Sequence, residues 1–526
     1  MSTIKGSTIL VLGGAGQVGF EICKQLLREN PTKIVLADLT KKKVERGIRE
    51  LKNINEKTIL TGEWGNIFVR TELKEKINGE IIKNPESQEK LIQDVFGEFN
   101  DETVKNSFLF QIMEKHNPKI VIDAINTATA LAYLDPYAQV MHENDSKKWL
   151  RIALSMSIPH LVRHTQILFH SLRKVKTEQY LKIGTSGSGG LGFTLPFNHG
   201  EREVPSRLLM GKTAVAGAQT MLLWVLGRTP GAPVIKEIKV TALIGWRNIG
   251  SGKIRTKDGE IELYDCPIEK AQPIGKGLQG MNAVRLGRYL EGPWIDTGEN
   301  DVFTKEMFAA ITAADGMELI TPEEIAEEVI REVKGEDTGK EIIRALDSAS
   351  LGPTLKGTAK RKIALERLER LDSNEVASIQ TLGPLTAKIL WEATILKKIM
   401  REVPTRPKEK PGEIEKKALE IISSNKELRA KIISIGIPIL LPNGKILTGP
   451  NIMVPATKKK YATIKEIEKW ANVGWVDLRS RNWKKWLTWL TKYSEAQGGG
   501  KPMEFKIGDV CGWVFAHELG GLRIKR

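Results

Sequence analysis

Apolar and polar positions alternate in blocks over the first half of the chain. Thr8-Ile9-Leu10-Val11-Leu12 is a short apolar run that breaks into glycines, and Phe20–Leu27 reopens with helical spacing. The same rhythm recurs. Lys33–Asp38 predicts a second strand, a Lys- and Glu-rich helix follows, and Gly65–Val69 predicts a third strand. Pro118–Ala124 reads as another buried strand, 158–174 as a long amphipathic helix and 180–186 as a strand. The pattern closes with a helix over 212–226 and a sixth strand over 235–246. Strand and helix in alternation predict an α/β fold, a doubly wound parallel sheet covered on both faces.

Beyond residue 260 the alternation stops. Residues 261–400 read as mostly helical, and Thr321-Pro322-Glu323-Glu324 is a helix start, with a cap, a first-turn proline and acids near the N-terminus. Pro404, Pro407 and Pro411 among charges mark a domain edge. Asn443-Gly444 between apolar runs predicts a hairpin over 439–447, and a Trp-rich helix follows over about 480–493. The expected organisation is a sheet domain over 1–260, a mainly helical substrate or oligomerisation region over 261–405 and an α+β extension over 406–526.

The break after Leu12 carries the first chemical information. Gly13-Gly14-Ala15-Gly16-Gln17-Val18-Gly19 places a tight glycine turn between strand and helix. Backbone amides at such a helix start bind phosphate, so the expected ligand is a dinucleotide on a Rossmann-type sheet. Asp38 ends the next strand roughly twenty residues on, where an acid accepts hydrogen bonds from the adenosine ribose. Its charge favours NAD, while Lys41, Lys42 and Lys43 leave NADP open.

Composition limits the alternatives. A chain of 526 residues is too long for one core. The net charge of +16 comes from dispersed lysines and arginines mixed with acids, which favours a solvated surface over a nucleic-acid partner. Without a signal peptide or membrane span in the sequence, and with three cysteines far apart (Cys23, Cys266, Cys511), the expectation is a cytoplasmic protein with reduced thiols. The Lys, Glu and Ile richness is compatible with a thermophilic source. His517-Glu518-Leu519-Gly520 lacks the second histidine of a zinc helix, so no metal is expected.

Five features in order carry a family resemblance: the glycine loop, Asp38, the strand ending Asp123 to Ala128, Ile183-Gly184-Thr185-Ser186, and the segment from Gly200 through Pro205 to Lys212. Over about residues 5–260 the chain resembles the extended short-chain dehydrogenases/reductases, which include NAD-dependent epimerases and dehydratases. The resemblance implies that Asn126, Thr127 and Ala128 line the cofactor and that Thr185 or Ser186 orients a substrate oxygen. It also implies that Lys212 holds the nicotinamide ribose. The family places a proton-transferring tyrosine four residues before that lysine, and here the position is Leu208. Leucine moves no proton. His199 is the local substitute, because imidazole titrates near neutrality, with Tyr180 and Tyr137 as outside candidates.

The expected function is an NAD(P)-dependent oxidoreductase acting on a hydroxyl or carbonyl of a small molecule. An NAD-retaining epimerase, dehydratase or lyase and a non-catalytic dinucleotide-binding regulator remain as alternatives. The large extension is expected to close over cofactor, supply specificity or build a homo-oligomer. No nucleic acid or membrane is expected as partner.

Overall fold

The structure is a computed structural model. It describes residues 3–55, 57–77, 80–81, 84–132, 157–185, 207–240, 243–256, 259–273, 283–298, 302–313, 320–336, 355–405, 407, 409–455 and 463–519. The chain divides into two compact units.

The first unit is built on strands β1 (Thr8–Leu12), β2 (Lys33–Asp38), β3 (Ile59–Trp64), β4 (Ile120–Asp123), β5 (Gln179–Thr185) and β6 (Val234–Val240). They form one sheet in the order β3-β2-β1-β4-β5-β6, every pair parallel. That order is the Rossmann arrangement, with its switch point between β1 and β4. The helices are α1 (Gln17–Arg28), α2 (Lys41–Lys52), α3 (Pro85–Phe96), α4 (Asp101–Asn106), α5 (Phe108–His116), α6 (Thr127–Ala132), α7 (Ser157–Lys174) and α8 (Arg207–Arg228). Alternate strand residues feed two cores. Ile9, Val11, Ile34, Leu36, Ile122 and Leu181 pack with α1 and α2. Leu10, Leu12, Val35, Val121 and Tyr180 pack with α5, α7 and α8.

One expectation is corrected here. The third strand is Ile59–Trp64 and not Gly65–Val69. Its interior Thr61-Gly62-Glu63 looks polar, yet Glu63 is buried because it accepts hydrogen bonds from His116 Nε2 and Lys115 Nζ, both at 2.7 Å. Gly65 then turns the chain at φ +136°, and Ile67 and Val69 are buried as loop residues. The strands end at Val240, and helix α9 (Pro322–Lys334) returns to the sheet unit. Ile325, Ala326, Val329 and Val333 of α9 join the core of α1, and Lys236 Nζ donates to buried Glu332 Oε2 at 2.7 Å. The predicted start of α9 is present as a full capping box between Thr321 and Glu324.

The second unit is mixed α/β. Residues 262–304 hold strands where helix was expected: Glu262–Asp265 pairs with Val284–Tyr289, and Glu291–Asp296 lies between Asn248–Lys253 and Val302–Thr304. Glycines and prolines in this stretch, such as Gly292 and Pro293, weaken a helix but sit in short antiparallel strands. The hairpin Ile439–Leu440 with Lys445–Leu447 turns at Gly444, φ +77°. The Trp-rich helix spans Ser480–Ala496, and Trp483 and Trp486 are fully buried in the core. All three cysteines are free and buried. Among the described residues no helix is long and apolar enough to cross a membrane.

Candidate functional site

The C-terminal ends of β1 and β2 shape the glycine turn. Gly13 has φ +74°, a backbone that L side chains rarely adopt. A Cβ on Gly19 would lie 2.2 Å from the Gly13 carbonyl oxygen, so only glycine lets α1 start this close to the turn. Gly16 caps α1 without a side-chain acceptor, leaving the first-turn N–H groups of Gln17 and Val18 without a side-chain cap. The Gln17 side-chain Nε2 is also buried beside the turn with no hydrogen-bond partner. Donors in this state suit a pyrophosphate. Asp38 ends β2 with its Oδ2 accepting from Ala15 N at 3.2 Å and its Oδ1 from Leu39 N at 2.8 Å. Each carboxylate oxygen keeps a second lone pair, the number two ribose hydroxyls require. The turn, the uncapped amides and Asp38 therefore fit a dinucleotide.

The other end of the site is built from β4, β5 and α8. Asp123 closes β4 and is buried; its Oδ1 accepts from Ile125 N at 2.9 Å and its Oδ2 from the Tyr180 hydroxyl at 2.7 Å. Lys182 Nζ lies 2.9 Å from Asp123 Oδ1 and donates to Ile125 O at 2.5 Å and Thr127 Oγ1 at 3.1 Å. Gln219 Nε2 of α8 donates to the same Thr127 oxygen at 3.1 Å. Thr127 is thus a buried joint between the sheet and α8. Ala128 packs with Leu131, Leu161, Val215 and Ala216, and half-buried Asn126 precedes this cluster. Half-buried Lys212 precedes the buried positions Ala216, Gln219 and Leu223 along α8.

Thr185 ends β5 in register with Val240 of β6. Ser186, His199 and Tyr137 lie outside the described residues. Leu208 lies in α8 one turn before Lys212. Tyr180, weighed above as an outside proton donor, is held by Asp123. Burial first, then that carboxylate, pushes its phenol well above the usual tyrosine range. His164 of α7 is buried against Phe68, ring centroids 4.5 Å apart, and burial lowers it to about 3, so its imidazole is neutral. Lys182 and the Asp123 carboxylate were not picked out from the sequence. The available signal was a lysine inside the apolar run Tyr180-Leu181-Lys182-Ile183. Among the described residues no three His, Cys, Asp or Glu side chains gather as a metal site.

These features define a dinucleotide-type Rossmann unit joined to a second α/β unit. The C-terminal half of the chain, α9 of the sheet unit included, has a family likeness. Residues 263–519 match the beta-methylindole-3-pyruvate reductase C-terminal domain. No curated protein sequence matches the chain. Among solved structures, a short-chain dehydrogenase/reductase from Serratia marcescens BCRC 10948 is 14% identical, with a TM-score of 0.30 over 62% of this chain and 90% of that one. The Bordetella bronchiseptica enzyme WbmH, solved with NAD+, is 11% identical, with a TM-score of 0.28 over 64% of this chain and 77% of that one. Pen from Bacillus thuringiensis is 11% identical, with a TM-score of 0.30 over 63% of this chain and 69% of that one. At such values the fold rests on the strand order itself.

Proposed function

We propose that the protein is an NAD(P)H-dependent reductase that converts the ketone of a 2-oxo acid carrying an aromatic side chain into the alcohol, with NAD(H) preferred. The observation that carries the redox reading is the match of residues 263–519 to a reductase C-terminal domain, in a chain whose sheet unit fits a dinucleotide. The substrate class follows the printed name of that domain, an indole-3-pyruvate derivative. The NAD preference is supported by Asp38, whose carboxylate stands where a 2′-phosphate would bring a second negative charge.

In this reading Gly13, Gly14, Ala15, Gly16, Gln17, Val18 and Gly19 hold the pyrophosphate, and Asp38 holds the adenosine ribose. Asn126 lines the cofactor beside Thr127 and Ala128, and Lys212 holds the nicotinamide ribose. Thr185 or Ser186 orients the substrate oxygen. The bound cofactor supplies hydride; the chain's own groups bind, orient and exclude water. The test is NADH oxidation followed at 340 nm with a panel of 2-oxo acids, beside a fluorescence titration of NADH. The reading requires saturable NADH binding and consumption that depends on the 2-oxo acid. Binding without consumption across aliphatic and aromatic 2-oxo acids would leave a non-catalytic binding protein, the reading that Leu208 favours.

A further inference from the structure

Parallel strands covered by helices are ordinarily apolar on both faces. On the α7 and α8 face of this sheet they are not. Asp123, Lys182 and Glu237 are register partners across β4, β5 and β6, and Lys239 follows two residues later on the same face, opposite Gly184. Asp123, Lys182 and Glu237 are 2%, 1% and 0% exposed. Lys239 Nζ lies 3.0 Å from Glu237 Oε1 as an ion pair, and neither Glu237 oxygen accepts an aligned hydrogen bond. Gly184 creates the room. A Cβ there would lie 2.1 Å from Glu237 Oε1 and 3.1 Å from Lys239 Nζ. Lys239 Nζ also donates to the carbonyl of Ala216 at 3.3 Å, one turn along α8 from Lys212. A buried ion pair is weak evidence for stability, and in a ligand-binding edge it marks chemistry.

We propose that Lys239 is the proton donor that stands in for the tyrosine replaced by Leu208, with Glu237 as its positioning residue. The proposal rests on the reductase reading above. Two lysines occupy this face of β5 and β6. Lys182 is held by Asp123, Ile125 O and Thr127 Oγ1, the joint that fixes α6 and α8. Lys239 lies one residue from the end of β6, beside the edge where ligands of doubly wound sheets bind. Its partner carboxylate has unused acceptor capacity. In the step, hydride from a dihydronicotinamide bonds to the carbonyl carbon, and the C–O π pair moves to oxygen. An N–H bond of the Lys239 ammonium breaks as the O–H bond forms. The ketone is reduced to the alcohol, the dihydronicotinamide is oxidised to the nicotinamide cation, and the lysine amine takes a proton from water before the next turnover.

The test uses the full chain, with Lys239→Arg, Lys239→Ala and Glu237→Gln. NADH affinity is read by fluorescence titration, folding by circular dichroism, and reduction of an aromatic 2-oxo acid in single turnovers. Arginine keeps the charge and the ion pair but releases no proton. K239R therefore binds NADH within about threefold of wild type and reduces the ketone at least ~100-fold more slowly. K239A loses as much, and added methylammonium restores part of the rate, which a packing role would not allow. E237Q lowers the turnover rate with NADH affinity unchanged. Wild-type turnover in a folded K239R overturns the proposal and leaves the reductase reading intact. A wild-type protein that binds NADH and reduces no carbonyl overturns both. If K239A does not fold, K239R decides.

Discussion

Each unit buries a lysine–glutamate pair, and the two pairs are built in opposite ways. In the second unit Glu392 is fully buried on the helix Pro384–Ile399 and pairs with Lys388 one turn away. Its Oε1 accepts from Asp477 N at 2.8 Å and its Oε2 from Trp486 Nε1 at 2.8 Å. Both oxygens accept from protein donors, which ties one helix to a strand end and to the Trp-rich helix. Glu237 in the sheet unit has the ammonium of Lys239 and no aligned hydrogen bond. A saturated pair specifies a core, whereas an unsaturated one at a strand edge retains capacity for something else.

The comparison breaks most directly at the two glutamates. Replacing Glu392 by Gln strands Lys388 in a dry core and should destabilise its unit by roughly 3–5 kcal/mol, with NADH affinity unchanged. Glu237→Gln has no aligned hydrogen bonds to lose. It should be less costly by at least about 1 kcal/mol, the usual net worth of one such bond. Urea unfolding of both variants reads this; equal losses would erase the distinction. Gly19→Ala comes next. The new Cβ overlaps the Gly13 carbonyl, so the start of α1 must shift, at about 1–3 kcal/mol of stability and with at least tenfold weaker NADH binding in a titration.

His164 sharpens the picture through pH. Its folded value near 3 lies below the ordinary ~6.5, so the unfolded chain takes up a proton that the native state refuses. Stability is therefore full above pH ~6.5 and falls as pH drops towards 3, by about 2 kcal/mol at pH 5. His164→Phe should flatten that part of the profile of melting temperature against pH; an unchanged slope would place the acid sensitivity elsewhere. The smallest effect is at Asp38. Asp38→Ala should weaken NADH about tenfold, some 1.4 kcal/mol, and narrow the gap to NADPH in parallel titrations.

The sheet unit was legible because its signals are local. Apolar blocks, the glycine turn and Asp38 lie within about thirty residues, and the period alone aligns them. Ile59–Trp64 was missed because Glu63 reads as surface until His116 and Lys115, more than fifty positions later, are folded against it. Helix α9 was recognised as a helix, but its return to α1 is a long-range contact that periodicity does not encode. The site divides in the same way. The glycine turn declares itself in sequence. Asp123, Lys182 and Glu237 become neighbours only once β4, β5 and β6 are set in register. The second unit has short strands of two to six residues, too brief for alternation to separate them from helix.

The measurement closest to the central claim is isotope transfer. The protein is incubated with NADH deuterated at C4, in each stereochemical form, and an aromatic 2-oxo acid, and the product is weighed. The account predicts a 2-hydroxy acid one mass unit heavier, labelled on the carbon that bears the hydroxyl, from one of the two forms. A product without deuterium from either form, or no product from a protein that binds NADH, would contradict it.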